Sequence, residues 1–340
     1  MRLIAYTALN RGSLPHKQKG VALMMVLFVF ALVTILASGM ISRQSLFIKK
    51  ASNSLIQSQA YEYALGAEQV ARQTLFVDWE EDKKEKEYID TLKEDWGASA
   101  VGFPVDYGVI EGQIDDLQGK LNINSLINSN GTKDQVVINR FVNLFIVLEI
   151  NDLKIEKIID WIDENNEVDG AEGAEDGDYL IKDKPYRTGN QPFASISELM
   201  LIDGMTPEYY ALLLPHVSAL PVGVKSINVN TCTKEIYRSL AKGKILTDDE
   251  GQAIIDYRVD TPFKTLDEFK VLPEYAGLEL EGRFSVNSEY FSVSSKVTLS
   301  DRVSRLVSVL HRDASDGTIS LLARDQGQKY IITKDMLVVE

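Results

Sequence analysis

Residues 17–41 read KQKGVALMMVLFVFALVTILASGMI, and this stretch decides the fold of the N-terminal part of the chain. From Val21 to Ile41 it contains no charged residue, whereas the 20 residues before Val21 contain four cations and no carboxylate. Twenty-one residues in a helix rise about 31 Å, enough to cross the hydrocarbon core of a bilayer. The sequence therefore predicts a transmembrane helix over 21–42, with the positive leader in the cytoplasm and the rest of the chain outside.

The predicted helix continues well beyond the bilayer. Residues 46–75 contain no proline, and a stripe of apolar and small residues from Ile56 to Thr74 recurs at spacings of three, four and seven. A secretory signal peptide has an apolar run of only about 7–15 residues, which ends at a small-residue cleavage site. Ala37-Ser38-Gly39 is a weak match to such a site, so an uncleaved helix that is first apolar and then amphipathic is favoured.

Composition argues against several classes of protein. The chain has 36 Lys and Arg against 50 Asp and Glu, and nucleic-acid binding needs clustered cations. The single cysteine, Cys232, cannot form an internal disulfide and is predicted to be a buried hydrophobic residue. The three histidines are scattered, and neither Gly-x-Ser-x-Gly nor His-Glu-x-x-His occurs. We therefore predict that the chain binds no nucleic acid and is not an enzyme.

Two stretches downstream repeat one pattern. The first copy contains LNIN at 121–124, IIDW at 158–161 and PFASISEL at 192–199, and the second contains INVN at 227–230, IIDY at 254–257 and PFKTLDEF at 262–269. In the last motif of each copy, Ser195 or Thr265 lies three residues before a glutamate, which is the capping-box spacing at a helix start. The repeat resembles helix-hairpin-helix or sterile-alpha-motif-like (SAM-like) units and predicts an α-helical domain.

The segments that flank the repeat are predicted strands. Polar and apolar residues alternate around 107–114, and residues 290–299 and 305–312 are rich in β-branched side chains. If these strands pair, the helical repeat is an insertion within a sheet. The final segment, ISLLARDQGQKYIITK, predicts one more hairpin with a turn near Gln326-Gly327. The sequence thus predicts an α+β fold, in which the long N-terminal helix packs on a small antiparallel sheet that carries a large inserted α-helical domain.

The first copy of the repeat carries a strongly acidic insertion. Between 160 and 178 there are nine carboxylates and no Lys or Arg. Such a segment is either a solvated, mobile loop or a site for a hard cation, which would relieve the repulsion through six to eight oxygen ligands. Calcium fits better than zinc because the segment lacks His and Cys. It is not an EF-hand, since the sixth position counted from Asp163 is Val168 and not glycine.

The residues around the start of the transmembrane helix resemble a prepilin processing site. In that family a peptidase cleaves after the glycine, here Gly20, and the new terminus, here Val21, is usually methylated. Met25 stands where major pilins have a glutamate, which in filaments pairs with the amino terminus of the neighbouring subunit. A subunit without this glutamate suits a filament tip.

Longer motifs extend the resemblance over most of the chain. They are IDDLQGKLNINSL (114–126), IIDWID (158–163), GAEDGDY (173–179), PYRTGNQPFASISELMLIDGM (185–205) and INVNT (227–231). Together with the processing site they resemble general secretion pathway protein K, a family of minor pseudopilins of type II secretion. The resemblance implies a pseudopilin fold with a calcium-binding helical insertion.

The resemblance also implies a set of metal ligands. One or two calcium ions would be held by residues among Asp163, Asn165, Glu175, Asp176, Asp178 and Asn190. Residues 170–172 nearly repeat residues 173–175, so the assignment of Glu175 could slip by three residues.

The function implied is that of a tip subunit of the secretion pseudopilus, which initiates assembly and supports export of folded proteins across the outer membrane. The implied partners are minor pseudopilins I and J, other pseudopilins, the prepilin peptidase and the inner-membrane secretion platform. The chain would be a single-pass inner-membrane protein with a large periplasmic domain. The alternatives are a minor tip pilin of a type IV pilus and an anchored periplasmic metal-dependent enzyme.

These expectations divide the chain into five segments. They are a leader (1–20), a transmembrane helix (21–42), the pseudopilin helix with the first strands (43–124), the inserted α-helical domain with the acidic calcium loop (125–285) and the C-terminal strands (286–340).

Overall fold

The computed structural model describes residues 19–327, 333–334 and 336–338. It begins with one helix, α1 (Lys19–Glu85), of 67 residues, as the apolar run and the amphipathic stripe predict. Within the described residues this helix is long and apolar enough to cross a membrane, and its apolar part is unburied. The chain divides into two compact units after Ile56. Most of the predicted leader lies outside the described residues.

A six-stranded sheet forms the framework of the second unit. Its strands are β1 (Ala100–Val105), β2 (Gly108–Asp116), β7 (Tyr290–Leu299), β8 (Arg302–Arg312), β9 (Ile319–Asp325) and β10 (Met336–Val338). They lie in the order β10-β1-β2-β7-β8-β9. Each neighbouring pair is antiparallel except β1 with β10, which is parallel. The prediction of an antiparallel sheet is therefore wrong at one edge, because the end of the chain reaches β1 running in the same direction as that strand.

The predicted pairing across the helical segment is confirmed. Strands β2 and β7 are adjacent, from Gly108 opposite Leu299 to Asp116 opposite Phe291. The chain between them is mainly helical, so it is inserted within the sheet. The predicted C-terminal hairpin is described only for its first strand, β9, which pairs with β8, because residues 328–332 lie outside the described residues.

The insertion contains seven α-helices among the described residues. They are α3 (Gln135–Val147), α4 (Ile155–Ile162), α5 (Asp176–Leu180), α6 (Pro207–Leu213), α7 (Lys234–Ser239), α8 (Asp248–Asp260) and α9 (Leu266–Lys270). Three 3₁₀ turns and four short strands complete the insertion. The turns are Ile123–Leu126, Ile196–Leu201 and Pro273–Tyr275, and the strands are β3 (Leu121–Asn122), β4 (Val217–Ser218), β5 (Ile227–Asn228) and β6 (Phe284–Ser285). One apolar cluster unites these elements, and the single cysteine lies fully buried in it, as predicted. Outside the insertion, one short helix, α2 (Asp95–Ala98), precedes β1.

The sequence repeat is also a structural repeat. Strand β3 pairs in parallel with β4 in the first copy, and β5 pairs in parallel with β6 in the second. Asn124 donates to the carbonyl oxygen of Phe193 at 2.9 Å and accepts from its amide at 2.7 Å. Asn230 makes the same two bonds with Phe263, at 2.9 and 2.8 Å. The predicted capping boxes form at Ser195 and Thr265.

The buried carboxylate of Glu68 connects α1 to two strands. Its side chain is 1% exposed and accepts from Ser308 on β8 at 2.6 Å. Arg324 on β9 donates twice, at 2.7 and 2.9 Å, and Arg72 donates from the next helical turn. Burial opposes ionisation, but the hydrogen bonds from Arg324, Ser308 and Arg72 outweigh it and lower the pKa of Glu68 to about 2. Glu68 therefore fixes the part of α1 that belongs to the second unit on the sheet.

We expect Glu68→Gln to destabilise the chain by about 2 kcal/mol at pH 7, because the charge-assisted bonds lose their charge. The stabilisation from a lowered pKa is fully present above the ordinary value of 4.5 and is lost as the pH falls toward about 2. Chemical denaturation of the full chain in detergent micelles at pH 7 and pH 3 measures both effects. Glu62→Gln, an exposed carboxylate of the same helix, is the control. A loss equal to that of the control would contradict the assignment.

Candidate cation site in the acidic loop

The acidic loop begins where α4 ends, and one buried carboxylate folds it back onto that helix. Asp160, fully buried in α4, accepts from the amides of Asp169 at 3.0 Å and Ala174 at 2.7 Å. Gly173 fits beside it because a Cβ there would lie 2.2 Å from Asp160 Oδ2. The predicted ligand set omits Asp160. The feature of the sequence that could have identified Asp160 is its position among the apolar residues of the IIDW motif.

Two of the predicted ligands carry a buried oxygen that lacks a hydrogen-bond donor. Glu175 is 4% exposed, and its Oε1 has no partner within the described residues, while Oε2 accepts from Thr188 at 3.2 Å. The amide nitrogen of Asn190 donates to Asn165 O and to Asn166 Oδ1, and its buried Oδ1 likewise has no partner in the described part of the chain. Buried acceptors are usually satisfied. Carboxylate and amide oxygens of this kind are ligands that calcium takes.

The other predicted ligands already have partners within the loop. Asp163 is buried, and its Oδ1 accepts from Asn165 N at 3.2 Å, while Asn165 Oδ1 accepts from Glu167 N at 2.7 Å. Asp178 Oδ2 accepts from Glu175 N at 3.1 Å and caps α5. These contacts leave further oxygen lone pairs available for a cation.

Asp176, another predicted ligand, already has hydrogen-bond donors at both of its carboxylate oxygens. Its Oδ1 accepts from the amide and the hydroxyl of Thr188, both at 3.0 Å, and its Oδ2 accepts from Arg187 at 2.5 Å. Its pKa is lowered because these bonds outweigh desolvation. The guanidinium already neutralises this carboxylate.

Electrostatics bring Asp160, Asp163 and Glu175 into one group. Burial, together with repulsion from Asp160 and Asp163, raises the pKa of Glu175 to about 7. Burial and the neighbouring Asp163 raise the pKa of Asp160 to about 6, and burial also raises that of Asp163. These carboxylates repel one another, and a cation would remove that repulsion. Their oxygens do not converge to ligand distance: within the described residues, three carboxylates with oxygens within 4.8 Å of one another occur only at Asp78, Asp90 and Glu94, outside the loop.

The near-repeat within the loop differs in burial. Ala174 and Glu175 are 2% and 4% exposed, whereas Ala171 and Glu172 are exposed. Glu175, and not Glu172, therefore lies beside the buried carboxylates. The predicted processing residues Gly20 and Val21 lie in the first turn of α1, both exposed.

Comparison with known proteins identifies relatives that match most of the chain. Two family models, both described as type II secretion system (T2SS), protein K, match residues 119–222 and 227–294. The chain is 36% identical over 320 residues to type II secretion system protein K of Pseudomonas aeruginosa, covering 92% of this chain and 93% of that protein. It is 31% identical to the protein of that name from Pectobacterium carotovorum, covering 87% of this chain and 93% of that protein.

A solved structure has the same fold. The crystal structure of the GspK-GspI-GspJ complex from the type 2 secretion system of enterotoxigenic Escherichia coli contains a chain that matches with a TM-score of 0.69 and 25% identity. The match covers 82% of this chain and 100% of that one. The fold and the matches define a component of the type II secretion machinery, of the minor pseudopilin class. More specifically, the chain belongs to the type II secretion system protein K family.

Proposed function

We propose that the chain is the tip subunit of a type II secretion pseudopilus, where it initiates assembly and supports export of folded proteins across the outer membrane. The observation that carries this proposal is the match over the full length of a chain solved in a GspK-GspI-GspJ complex. Met25 supports it, since a subunit at the tip has no next subunit above it to pair with a glutamate at that position.

The same comparison supports proteins I and J as partners. Proteins I and J of the host's own secretion system would form the tip complex with this chain, and other pseudopilins and the inner-membrane platform would act below it. The apolar part of α1 would hold the chain in the inner membrane, with the second unit in the periplasm, until the subunit enters the filament. The helical repeat, of SAM-like or helix-hairpin-helix-like form, would serve as a packing and interaction module, and its acidic loop would bind one or two calcium ions.

Co-purification tests the proposed assembly. The full chain, co-expressed in its host with tagged protein I and protein J, should be recovered with both in a stoichiometric complex, and deletion of its gene should abolish secretion and pseudopilus formation. Recovery of protein I with J but without this chain, or unchanged secretion after deletion, would contradict the proposal. Association instead with the subunits of a surface pilus would favour a type IV tip pilin. A metal-dependent turnover lost in Asp176→Ala would favour an enzyme.

Processing of the N-terminus gives a separate prediction. The mature protein recovered from membranes of its own host should begin at Val21, with a mass that shows loss of residues 1–20 and methylation of the new amino group. Gly20 is exposed at the start of α1, and a Cβ there would meet no atom within 4 Å, so Gly20→Asp should block cleavage without disturbing the fold. Intact mass and N-terminal sequencing measure both proteins. A wild-type chain that retains Met1 would show that residues 1–41 are an ordinary signal anchor.

A further inference from the structure

A second carboxylate cluster lies where α1, the segment that follows it and β8 meet. Oxygens of Asp78 on α1, and of Asp90 and Glu94 in the following segment, lie within 4.8 Å of one another. One guanidinium, that of Arg312, faces them and donates to Asp78 at 2.8 Å and to Asp90 Oδ2 at 2.6 Å. Asp90 is fully buried. One guanidinium thus pairs with two of the three carboxylates in the cluster.

Glu94 is held by two N–H donors and lies beside the other two carboxylates of the cluster. Its Oε2 accepts from the Trp96 indole at 2.6 Å, and its Oε1 accepts from the Thr91 amide at 3.0 Å. An oxygen of Glu94 also lies within 4.8 Å of oxygens of Asp78 and Asp90. Three ionised carboxylates beside the one guanidinium that donates to the cluster would leave uncompensated negative charge, which favours a proton on the Asp78–Glu94 pair.

The surroundings add negative charge from each neighbouring element. Helix α1 contributes Asp82, Glu81 and Glu85, and strand β2 contributes Asp116. The cation that contacts the cluster in the described part of the chain is Arg312, whereas the Lys334 ammonium lies 5.5 Å from the Trp96 ring centre. Burial, then repulsion from Asp78 and Asp90, raises the pKa of Glu94 to about 9. Burial likewise raises the pKa values of Asp82 and Asp90 to about 7, and that of Asp116.

We infer that this cluster is a proton-dependent latch, in which a proton shared by Asp78 and Glu94 holds residues 87–98 between α1 and the sheet. The latched segment makes contacts on three sides. Asp90 accepts from Ser288 N at 2.7 Å and donates to Val286 O at 2.9 Å, and Lys93 donates to the carbonyl of Asp260 at the end of α8. Loss of the shared proton places two adjacent anions in a half-buried site, which releases the segment from α1 and from the inserted domain together.

The direction of the pH dependence follows from the raised pKa values. A carboxyl group whose pKa is raised on folding stabilises the protein fully below its ordinary value, and that stabilisation is lost as the pH rises to the folded value. For Glu94 the loss extends from 4.5 to about 9. The latch is therefore closed in mildly acidic medium and opens in alkaline medium.

Thermal unfolding and hydrogen exchange of the full chain in detergent micelles test the latch, with calcium in constant excess so that the acidic loop stays loaded. The wild-type melting temperature should fall by about 5 °C or more between pH 6 and pH 9. Glu94→Gln, which keeps the size of the side chain and removes the titration, should lose at least about half of this fall. At pH 9, amides of residues 87–98 should exchange faster in the wild type than in Glu94→Gln, whereas at pH 6 the two proteins should exchange alike.

Asp95→Asn is the matched control, because Asp95 is an exposed carboxylate next to Glu94. It should retain the wild-type pH dependence. If Glu94→Gln does not fold, Asp78→Asn removes the other member of the pair and should flatten the pH profile in the same way. A profile for either folded variant that parallels the wild type, or exchange in residues 87–98 that is equal in variant and wild type at pH 9, would overturn the latch.

Discussion

Removal of calcium is expected to lower the melting temperature of the full chain by about 5–10 °C, through loss of the ion that the acidic loop is proposed to bind. A ligand at 100 times its dissociation constant stabilises a protein by about 2.7 kcal/mol, and each kcal/mol shifts the midpoint of a domain of this size by roughly 2–4 °C. Glu175 and Asn190 each supply a buried oxygen without a donor in the described part of the chain, and Asp163 adds a buried carboxylate. Melting in detergent with calcium and with EGTA measures the difference.

The near-repeat in the loop provides the matched pair of variants. Glu175→Gln should remove most of the calcium response, since it neutralises the buried ligand, whereas Glu172→Gln changes an exposed residue of the same sequence motif and should leave the response intact. The affinity should also fall as the pH drops below about 7, because a protonated Glu175 must lose its proton to bind the ion. Superimposable melting curves in calcium and EGTA, or equal responses of the two variants, would count against the site.

The parts of the structure that the sequence predicts are those set by local patterns. The apolar run and the stripe that follows it predict α1, because residues three and four apart lie on the same face of a helix. The repeat is visible in sequence because Asn124 and Asn230 hold Phe193 and Phe263 through the same bonds. The insertion follows from the alternation of β2 and the β-branched residues of β7.

Other features depend on contacts between distant residues, which no local pattern records. The parallel pairing of β10 with β1 joins residues more than 230 positions apart. The role of Asp160 depends on the loop returning to α4, and Arg187 reaches Asp176 only after the chain has turned back. Residue types alone predicted an acidic site, but they did not distinguish a free ligand from a carboxylate with a partner.

The ion pairs of Arg312 predict the largest effect of a single substitution. The side chain is 5% exposed, donates to Asp78, Asp90 and the carbonyl of Ser288, and lies 4.8 Å from the centre of the Phe291 ring. Arg312→Met keeps much of the apolar packing but leaves buried carboxylates without a cation. Loss of one partner from a buried ion pair costs about 3–5 kcal/mol, and we expect a loss of this size in the free energy of unfolding at pH 8.

The loss should be smaller at pH 5.5, because Asp90, whose pKa is about 7 even beside Arg312, can then take up a proton. Arg305→Met on the same strand is the control: Arg305 is exposed, and its replacement should cost less than about 0.5 kcal/mol. Adding Asp90→Asn to Arg312→Met removes one of the carboxylates left without a cation. The double variant should therefore be more stable at pH 8 than the sum of the two single losses predicts. Denaturation of the wild type, the two single variants and the double variant at both pH values measures this coupling. A pH-independent cost for Arg312→Met, together with additive losses in the double variant, would show that Arg312 stabilises the protein by packing and not by charge.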